Sequence, residues 1–359
     1  MKLDRISELV RSGGPFLTAY LDVGRGAALA AHELEVRWRA AEADLLSQGA
    51  PEPLVSRVGE RITEPTRWHG PVSRLVATGG DEIVLDDRVA ATPSAEVTSW
   101  GPLPDLTSWL TDADPCRSVL LVLADRLGAD LERYDAWPGP AVSTDAVDGE
   151  DLHLTHVAAG DWAHKEFQRR SDEVLRHNAR LVAERVDHEA RAGVDVVALA
   201  GDVRARAEIR EALGEPARQR LVELDHGSRA PGSSRQTLDE ALRHALHDWV
   251  VAQKLARVRE VQQRAGRGEA IALGVNAVLG SLVRGQVAQV LLAPEAAAGR
   301  TVRPGRHPGL PLPPAALAED ELRADLAVVG AAAATDAEVE VTAASALPPD
   351  GVAALLRWS

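Results

Sequence analysis

The stretch Ala159-Gly-Asp-Trp-Ala-His-Lys-Glu-Phe-Gln-Arg-Arg-Ser-Asp-Glu-Val-Leu-Arg-His-Asn-Ala-Arg-Leu-Val-Ala183 concentrates the residue types that grip a phosphate chain. At about 100° per residue, Phe167, Val174, Leu175, Asn178, Leu181 and Val182 gather on one helical face. Lys165, Arg169, Arg176 and Arg180 fall together on the opposite face, with Gly160 and Trp162 at the helix entry. Such a stripe could follow a phosphate backbone while Trp162 stacks on a base. Gly160, Trp162, Lys165, Arg169, Arg170 and Arg176 are therefore the candidate RNA- or ribosome-binding residues. The plainer account, and the commoner fate of such a stripe, is a solvated face neutralised by Glu166, Asp172 and Glu173.

Other chemistries find less support. No G-x-x-x-x-G-K-[ST] phosphate loop occurs, and Gly266-x-Gly268 lacks both the third glycine and the preceding strand of a dinucleotide fingerprint. His153-x-x-His156 and His244-x-x-His247 are the paired histidines, with no third ligand at a suitable spacing, so no metal is expected. No G-x-S-x-G elbow is present. Cys116, the one cysteine, lies at the entry to an apolar strand, where an inert thiol is the common fate. No carboxylate pair is marked by an apolar pocket that would tune it for acid–base work. The expectation is no catalytic residue and no cofactor.

Composition narrows the classes further. The 359 residues carry 40 Lys+Arg against 54 Asp+Glu, a formal charge of −14, which argues against coating nucleic acid through bulk charge but leaves room for a local basic face. Only Lys2, Lys165 and Lys254 are lysines; the other basic residues are arginines, and alanine is abundant. A high-GC coding bias accounts for both, which makes any single arginine weak evidence of function. One cysteine excludes a disulfide framework and fits a reducing cytoplasm. The opening MKLDRISELV has no apolar core of a signal peptide, and no run of about 18 apolar residues suggests a membrane span.

The elements that must position the basic stripe read as follows. A strand at 16–23, helices at about 28–47 and 51–62, and two strands joined by Gly79-Gly80-Asp81 come first, then a short helix at 102–110. The turn Asp112-Ala-Asp-Pro115 marks a boundary. Strand 118–125 is apolar on both faces, like the centre of a covered sheet, and 128–136 pairs with it. Residues 145–151 read as an acidic loop, 163–192 as a long helix, 194–200 as a buried strand, 203–213 as a helix and 220–224 as a third strand. A helix over 237–265 is long enough to bridge domains. Beyond it, 268–283 reads as one helix, 287–292 as a strand, 300–314 as a proline-rich loop, 322–326 as a helical turn, 338–342 as a strand and 351–358 as the last strand. The expected domains are 1–115, 116–260 and 261–359.

Taken together, Gly14-Pro-Phe-x-x-x-Tyr-x-Asp22, Arg176-His-Asn-Ala-Arg-Leu-Val-Ala-Glu184, the helix–strand unit from Gly268 to Leu292 and the end Asp350-Gly-Val-Ala-Ala-Leu-Leu-Arg-Trp358 carry a resemblance. In their order and spacing the chain resembles the bacterial branch of the archaeal and eukaryotic class-1 release factor and Pelota superfamily, and within it an actinobacterial subfamily that includes a mycobacterial dormancy-associated protein. The resemblance implies an α/β fold with mixed sheets in a three-domain, release-factor-like architecture. Its middle domain would be ribonuclease-H-like, and the last would share the fold of kink-turn-binding ribosomal proteins.

Release factors carry Gly-Gly-Gln ahead of the middle helix, where it positions a water at the peptidyl-tRNA ester. Counted back from His177, the Gln position falls on Ala163, after Asp161 and Trp162, and Gln168 has no Gly-Gly before it. The motif is absent, as in the related Balon-type hibernation factors. The resemblance thus implies a non-catalytic ribosome-binding factor of stress, dormancy or hibernation, seated in the A site. Its partners would be rRNA, tRNA or a translation factor such as elongation factor Tu, with neither membrane nor DNA involved. Two other readings stand beside it: a peptidyl-tRNA hydrolase for ribosome rescue using other residues, and a fold that binds a protein partner and no ribosome.

Overall fold

The computed structural model describes residues 4–24, 30–66, 68, 70–150, 161–230 and 232–358, leaving aside the side chains of 4, 30, 31 and 161–168. The chain divides into two compact units, residues 1–115 with 252–359, and residues 116–251.

The chain opens with α1 (Asp4–Arg11), β1 (Phe16–Asp22), α2 (Ala30–Ser47), α3 (Glu52–Thr63), β2 (Ser73–Gly79), β3 (Glu82–Val89), β4 (Val97–Gly101) and α4 (Thr107–Ala113). Its antiparallel sheet has the order β3-β2-β1-β4. Alternation along β1 sends Leu17, Ala19 and Leu21 to one face, where Leu34, Trp38 and Leu45 of α2 and Leu54, Val58 and Ile62 of α3 close the core. Neither α1 nor β4 is legible as an element in the sequence. The short helix sits at 107–113 rather than 102–110, because the prolines at 102 and 104 hold the start of that segment out of helix.

The middle of the chain supplies β5 (Arg117–Ala124), β6 (Gly128–Trp137), β7 (Ser143–Asp148), α5 (Asp161–Arg191), β8 (Val196–Gly201), α6 (Val203–Ala212), α7 (Glu215–Arg218), β9 (Leu221–Glu223) and α8 (Arg235–Arg267). The sheet order is β7-β6-β5-β8-β9: an antiparallel meander on one side of β5, parallel strands on the other. That is the arrangement of a ribonuclease-H-like sheet. Both faces of β5 are covered. Leu120 and Val122 meet α5 and α6 through Leu175, Val182, Ala205 and Ile209, while Val119 and Leu121 meet Leu238, Leu242 and Leu246 of α8. The expected acidic loop at 145–151 is instead mostly β7, an edge strand. Its side chains face water nearly throughout, so it lacks the apolar alternation by which strands are recognised, and Asp145 and Asp148 guard the edge.

The last third holds β10 (Ile271–Leu273), α9 (Val275–Val283), β11 (Val287–Leu292), α10 (Pro294–Ala298), β12 (Thr301–Val302), α11 (Pro314–Leu317), β13 (Leu322–Arg323), α12 (Ala324–Ala334), β14 (Glu338–Val341) and β15 (Val352–Leu356). Its mixed sheet runs β10-β15-β11-β14, with β11 and β14 parallel. The single helix expected over 268–283 is a strand and a helix. Ile271–Leu273 pairs with β15, and Gly274, at φ +84°, turns the chain into α9. The helical turn expected at 322–326 is two residues of β13 followed by the start of α12, a helix apolar except for Asp325 and buried along nearly its whole length.

Two arginines, Arg74 and Arg323, tie this unit together through paired carboxylates. Arg74 on β2, 1% exposed, makes paired bonds to Asp86 on β3 at 2.8 and 2.7 Å and donates to Glu64 and to the Arg61 carbonyl. Arg323 donates to Asp105 and to the fully buried Asp325, both at 2.6 Å, and Asp325 also accepts from Thr107 at 3.0 Å. The overall class is mixed α/β built on several mixed sheets.

Candidate nucleic-acid interface

α5 is the element on which the sequence placed its candidate residues. Its packed face is made by Leu175, Asn178, Ala179, Val182, Ala183, Val186 and Ala190. The period of about 3.6 then turns Arg169, Arg176 and Arg180 together to the opposite side, and all three are exposed, as is Arg170. Glu173 shares that face. Arg176 lies 3.8 Å from Glu208 of α6, a half-exposed pair that constrains the guanidinium weakly. Trp162 and Lys165 fall in the first turns of α5, their side chains outside those described, and Gly160 lies outside the described residues altogether. The structure thus gathers Arg169, Arg170 and Arg176 on one helix.

The loops around that helix are held by residues that sequence reasoning did not select as functional. Asn178 stands among apolar side chains, 2% exposed. Its amide donates to the Arg126 carbonyl at 2.9 Å and the Glu150 carbonyl at 3.0 Å, and its oxygen accepts from the Glu150 amide at 2.8 Å. Gly149 leaves room for this: a Cβ there would meet the Asn178 amide at 2.2 Å. One side chain thereby pins both the β5–β6 turn and the exit of β7. The signal was a polar residue on an apolar helical face, which requires internal partners.

Arg229, in the loop after β9, reaches Asp125 at 3.2 Å, Asp130 at 2.8 Å and Asp148 at 3.5 Å, with its side chain 17% exposed. The bond to Asp130 and the charge of Asp125 outweigh burial and hold this guanidinium well above its ordinary pKa, so it is a permanent cation. The three carboxylates, on separate strands or strand ends, are neutralised by it. Asp202 is committed likewise: its Oδ1 caps α6 by accepting from the amides of Arg204 and Ala205, both at 3.0 Å.

The remaining chemistry-bearing residues are dispersed. His244 and His247 are exposed on α8, His153 and His156 lie outside the described residues, and Cys116, in no disulfide, is half-buried just before β5. Among the described residues there is no group of three His, Cys, Asp or Glu side chains that could hold a metal ion. No helix of the described residues is long and apolar enough to cross a membrane. The arrangement sets exposed guanidinium groups along α5, while Asp125, Asp130, Asp148 and Asp202 are already engaged.

Residues 118–267 match the model of bacterial archaeo-eukaryotic release factor family 2. The resemblance drawn from the sequence is met over that segment, which is similar to bacterial release factors of the archaeo-eukaryotic type. Along its whole length it is 26% identical, over 387 aligned positions covering 100% of this chain and 97% of the relative, to the Mycobacterium tuberculosis (strain H37Rv) protein called Uncharacterized protein Rv2629. Among solved structures it is similar to Archaeoglobus fulgidus Pelota (12% identity, 99% of this chain and 92% of that one, TM-score 0.33). It is also similar to the archaeal translation termination factor aRF1 (14% identity, 99% and 97%, TM-score 0.27).

Proposed function

We propose that this protein is a ribosome-binding factor of the release factor and Pelota type that presents the outer face of α5 to ribosomal RNA or the tRNA acceptor region and hydrolyses nothing there. The observation that carries the reading is that Arg169, Arg170 and Arg176 stand exposed on the helix that the sequence resemblance aligns with the one following the Gly-Gly-Gln loop of release factors, while this chain has no Gly-Gly-Gln. A phosphate-contacting role fits arginine at these sites, because a guanidinium on a rigid helix gives directional, permanently charged donors. Gly160, Trp162 and Lys165 complete the proposed contact set. Occupancy of the A site in dormancy or stress, a translation factor such as elongation factor Tu as a second partner, a cytoplasmic location, and the division into domains 1–115, 116–260 and 261–359 belong to the same proposal.

Co-sedimentation of the purified protein with ribosomes from growing and from starved cells tests it. Pelleting with ribosomes, without release of peptide from peptidyl-tRNA above a no-protein control, is the expected result. Release well above that control would replace this reading with a rescue hydrolase. Absence from the ribosome pellet under both conditions would leave the protein-binding alternative.

A further inference from the structure

The register of the middle sheet brings two tips of that unit to one place. β5 and β8 run parallel with Ala124 opposite Gly201, and the Asp202 amide donates to the Ala124 carbonyl at 2.9 Å. Gly201 permits the approach: its φ is +115°, and a Cβ would lie 1.8 Å from the Ala124 oxygen. The residues that follow each strand therefore emerge side by side. They are Arg126 and Leu127 in the β5–β6 turn, and Val203 and Arg204 in the first turn of α6. Arg126 Nε, 3.8 Å from Asp202 Oδ2, spans the two tips.

All four residues face water. Val203 is 71% exposed, more than any other large apolar side chain among the described residues, and Leu127 is 46% exposed. A tight turn and the first position of a helix are places where polar residues are ordinarily at no disadvantage, so local structure does not call for Leu or Val here. Asp125 is held by Arg229, and Asp202 caps α6 through Oδ1, leaving Oδ2 to a loose 3.8 Å pair with Arg126 that is itself largely exposed. What faces outward at the two tips is an exposed aliphatic side chain on each, Leu127 and Val203, each with an exposed arginine next to it in sequence. That combination suits an unstacked base lying flat, with its flanking phosphates on the arginines.

We infer that Arg126, Leu127, Val203 and Arg204 form a platform for a single-stranded RNA segment, joined to the α5 arginines through Arg176, which pairs with Glu208 one turn along α6 from Arg204. This rests on the ribosome-binding reading and adds a second, partly apolar contact to it. The platform's base specificity is low, because an aliphatic floor reads a base's face and not its edge.

The test uses the full chain and purified bacterial 70S ribosomes. Two double variants, Leu127→Ser/Val203→Ser and Arg126→Gln/Arg204→Gln, are pelleted beside the wild type over a range of salt, with thermal melting measured in parallel. Both are expected to melt with the wild type and to pellet about fivefold or more less well, the arginine pair also flattening the salt dependence by about two units of slope or less. A photoreactive benzoylphenylalanine in place of Val203 is expected to crosslink to RNA. Crosslinking to ribosomal protein alone, or full pelleting of both variants beside a pelleting wild type, overturns the platform and leaves the α5 reading standing. If the wild type itself stays out of the pellet, the ribosome reading fails and the platform falls with it.

Discussion

Arginine does opposite work in two regions of this molecule. On β2 of the N-terminal sheet, Arg74 is 1% exposed, and its bonds to Asp86, Glu64 and the Arg61 carbonyl leave it no freedom to meet a partner. On α5, Arg169, Arg176 and Arg180 point into water along one face of a helix whose other face is sealed by Leu175, Val182 and Val186. Both regions draw on the same arginine-rich composition. What separates them is whether the backbone element has a carboxylate on a neighbouring strand within reach. The comparison teaches that burial and pairing, which are tertiary facts, decide which arginines of an acidic protein can bind anything.

The sharpest way to break the comparison is to remove Arg74. Arg74→Met leaves Asp86, itself only 17% exposed, as a charge without its principal partner, and a loss of about 3–5 kcal/mol is expected in urea unfolding. The pair also sets an acid limit. Burial pushes the Asp86 carboxyl up, but the bonds and charge of Arg74 outweigh it and hold the group below its ordinary 3.8. A carboxyl depressed in the folded state contributes stability above its unfolded pKa, and that contribution is lost as pH falls through the folded value. Wild type should therefore lose stability below about pH 4 more steeply than Asp86→Asn does. Parallel acid limbs for the two proteins would show that the pair is not what the acid limb reports.

Asn178 is expected to come next. Asn178→Ala leaves the Glu150 amide and the Arg126 carbonyl without their bonds, which should cost about 2 kcal/mol in the same measurement. Asn178→Asp is the sharper variant, since it keeps the shape and the accepting oxygen but loses the amide that donates to Arg126 and Glu150. If both variants melt with the wild type, the β5–β6 turn and the exit of β7 are held by something else.

Much of this was open to reading in the residues, and the failures have physical causes. β5, apolar on both faces, announced the covered sheet, and the α5 periodicity placed Asn178 inward and the arginines outward, as found. β7 was missed because an exposed edge strand carries no buried alternation, and β10 because three residues paired to the C-terminal strand are too few to show a period. Of the site, the arginine stripe was legible and its surroundings were not. Arg229 finds Asp125, Asp130 and Asp148 across about 80 to 100 residues of sequence, and no spacing rule reaches so far. Leu127 and Val203 carry no spacing signal in the sequence; only the pairing of Ala124 with Gly201 sets them side by side.

Arg229 tests the middle of the range between a buried and a free arginine. Its partners Asp125, Asp130 and Asp148 are a third or more exposed, so water screens the charges and Arg229→Gln should cost only about 1–2 kcal/mol. The loss should shrink in about 1 M salt, where the released carboxylates repel one another less. A cost that does not change with salt would point to packing of the loop rather than to neutralisation of the three acids.

The smallest structural effect is expected where the largest functional one lies. Arg169→Glu/Arg176→Glu alters two side chains that face water, and surface changes of this kind move stability by about 0.5 kcal/mol or less. Arg176 gives up only a half-exposed pair with Glu208, and Glu173 already places a carboxylate on the same face, so the helix is expected to tolerate the reversal. Ribosome pelleting should nonetheless fall steeply, because each change removes a phosphate partner and adds a repulsion to a protein already at −14. Melting and pelleting measured on the same preparation separate the two readings of the stripe. A well-folded variant that pellets like the wild type makes it a solvated face, and one that melts normally but stays in the supernatant makes it the contact surface.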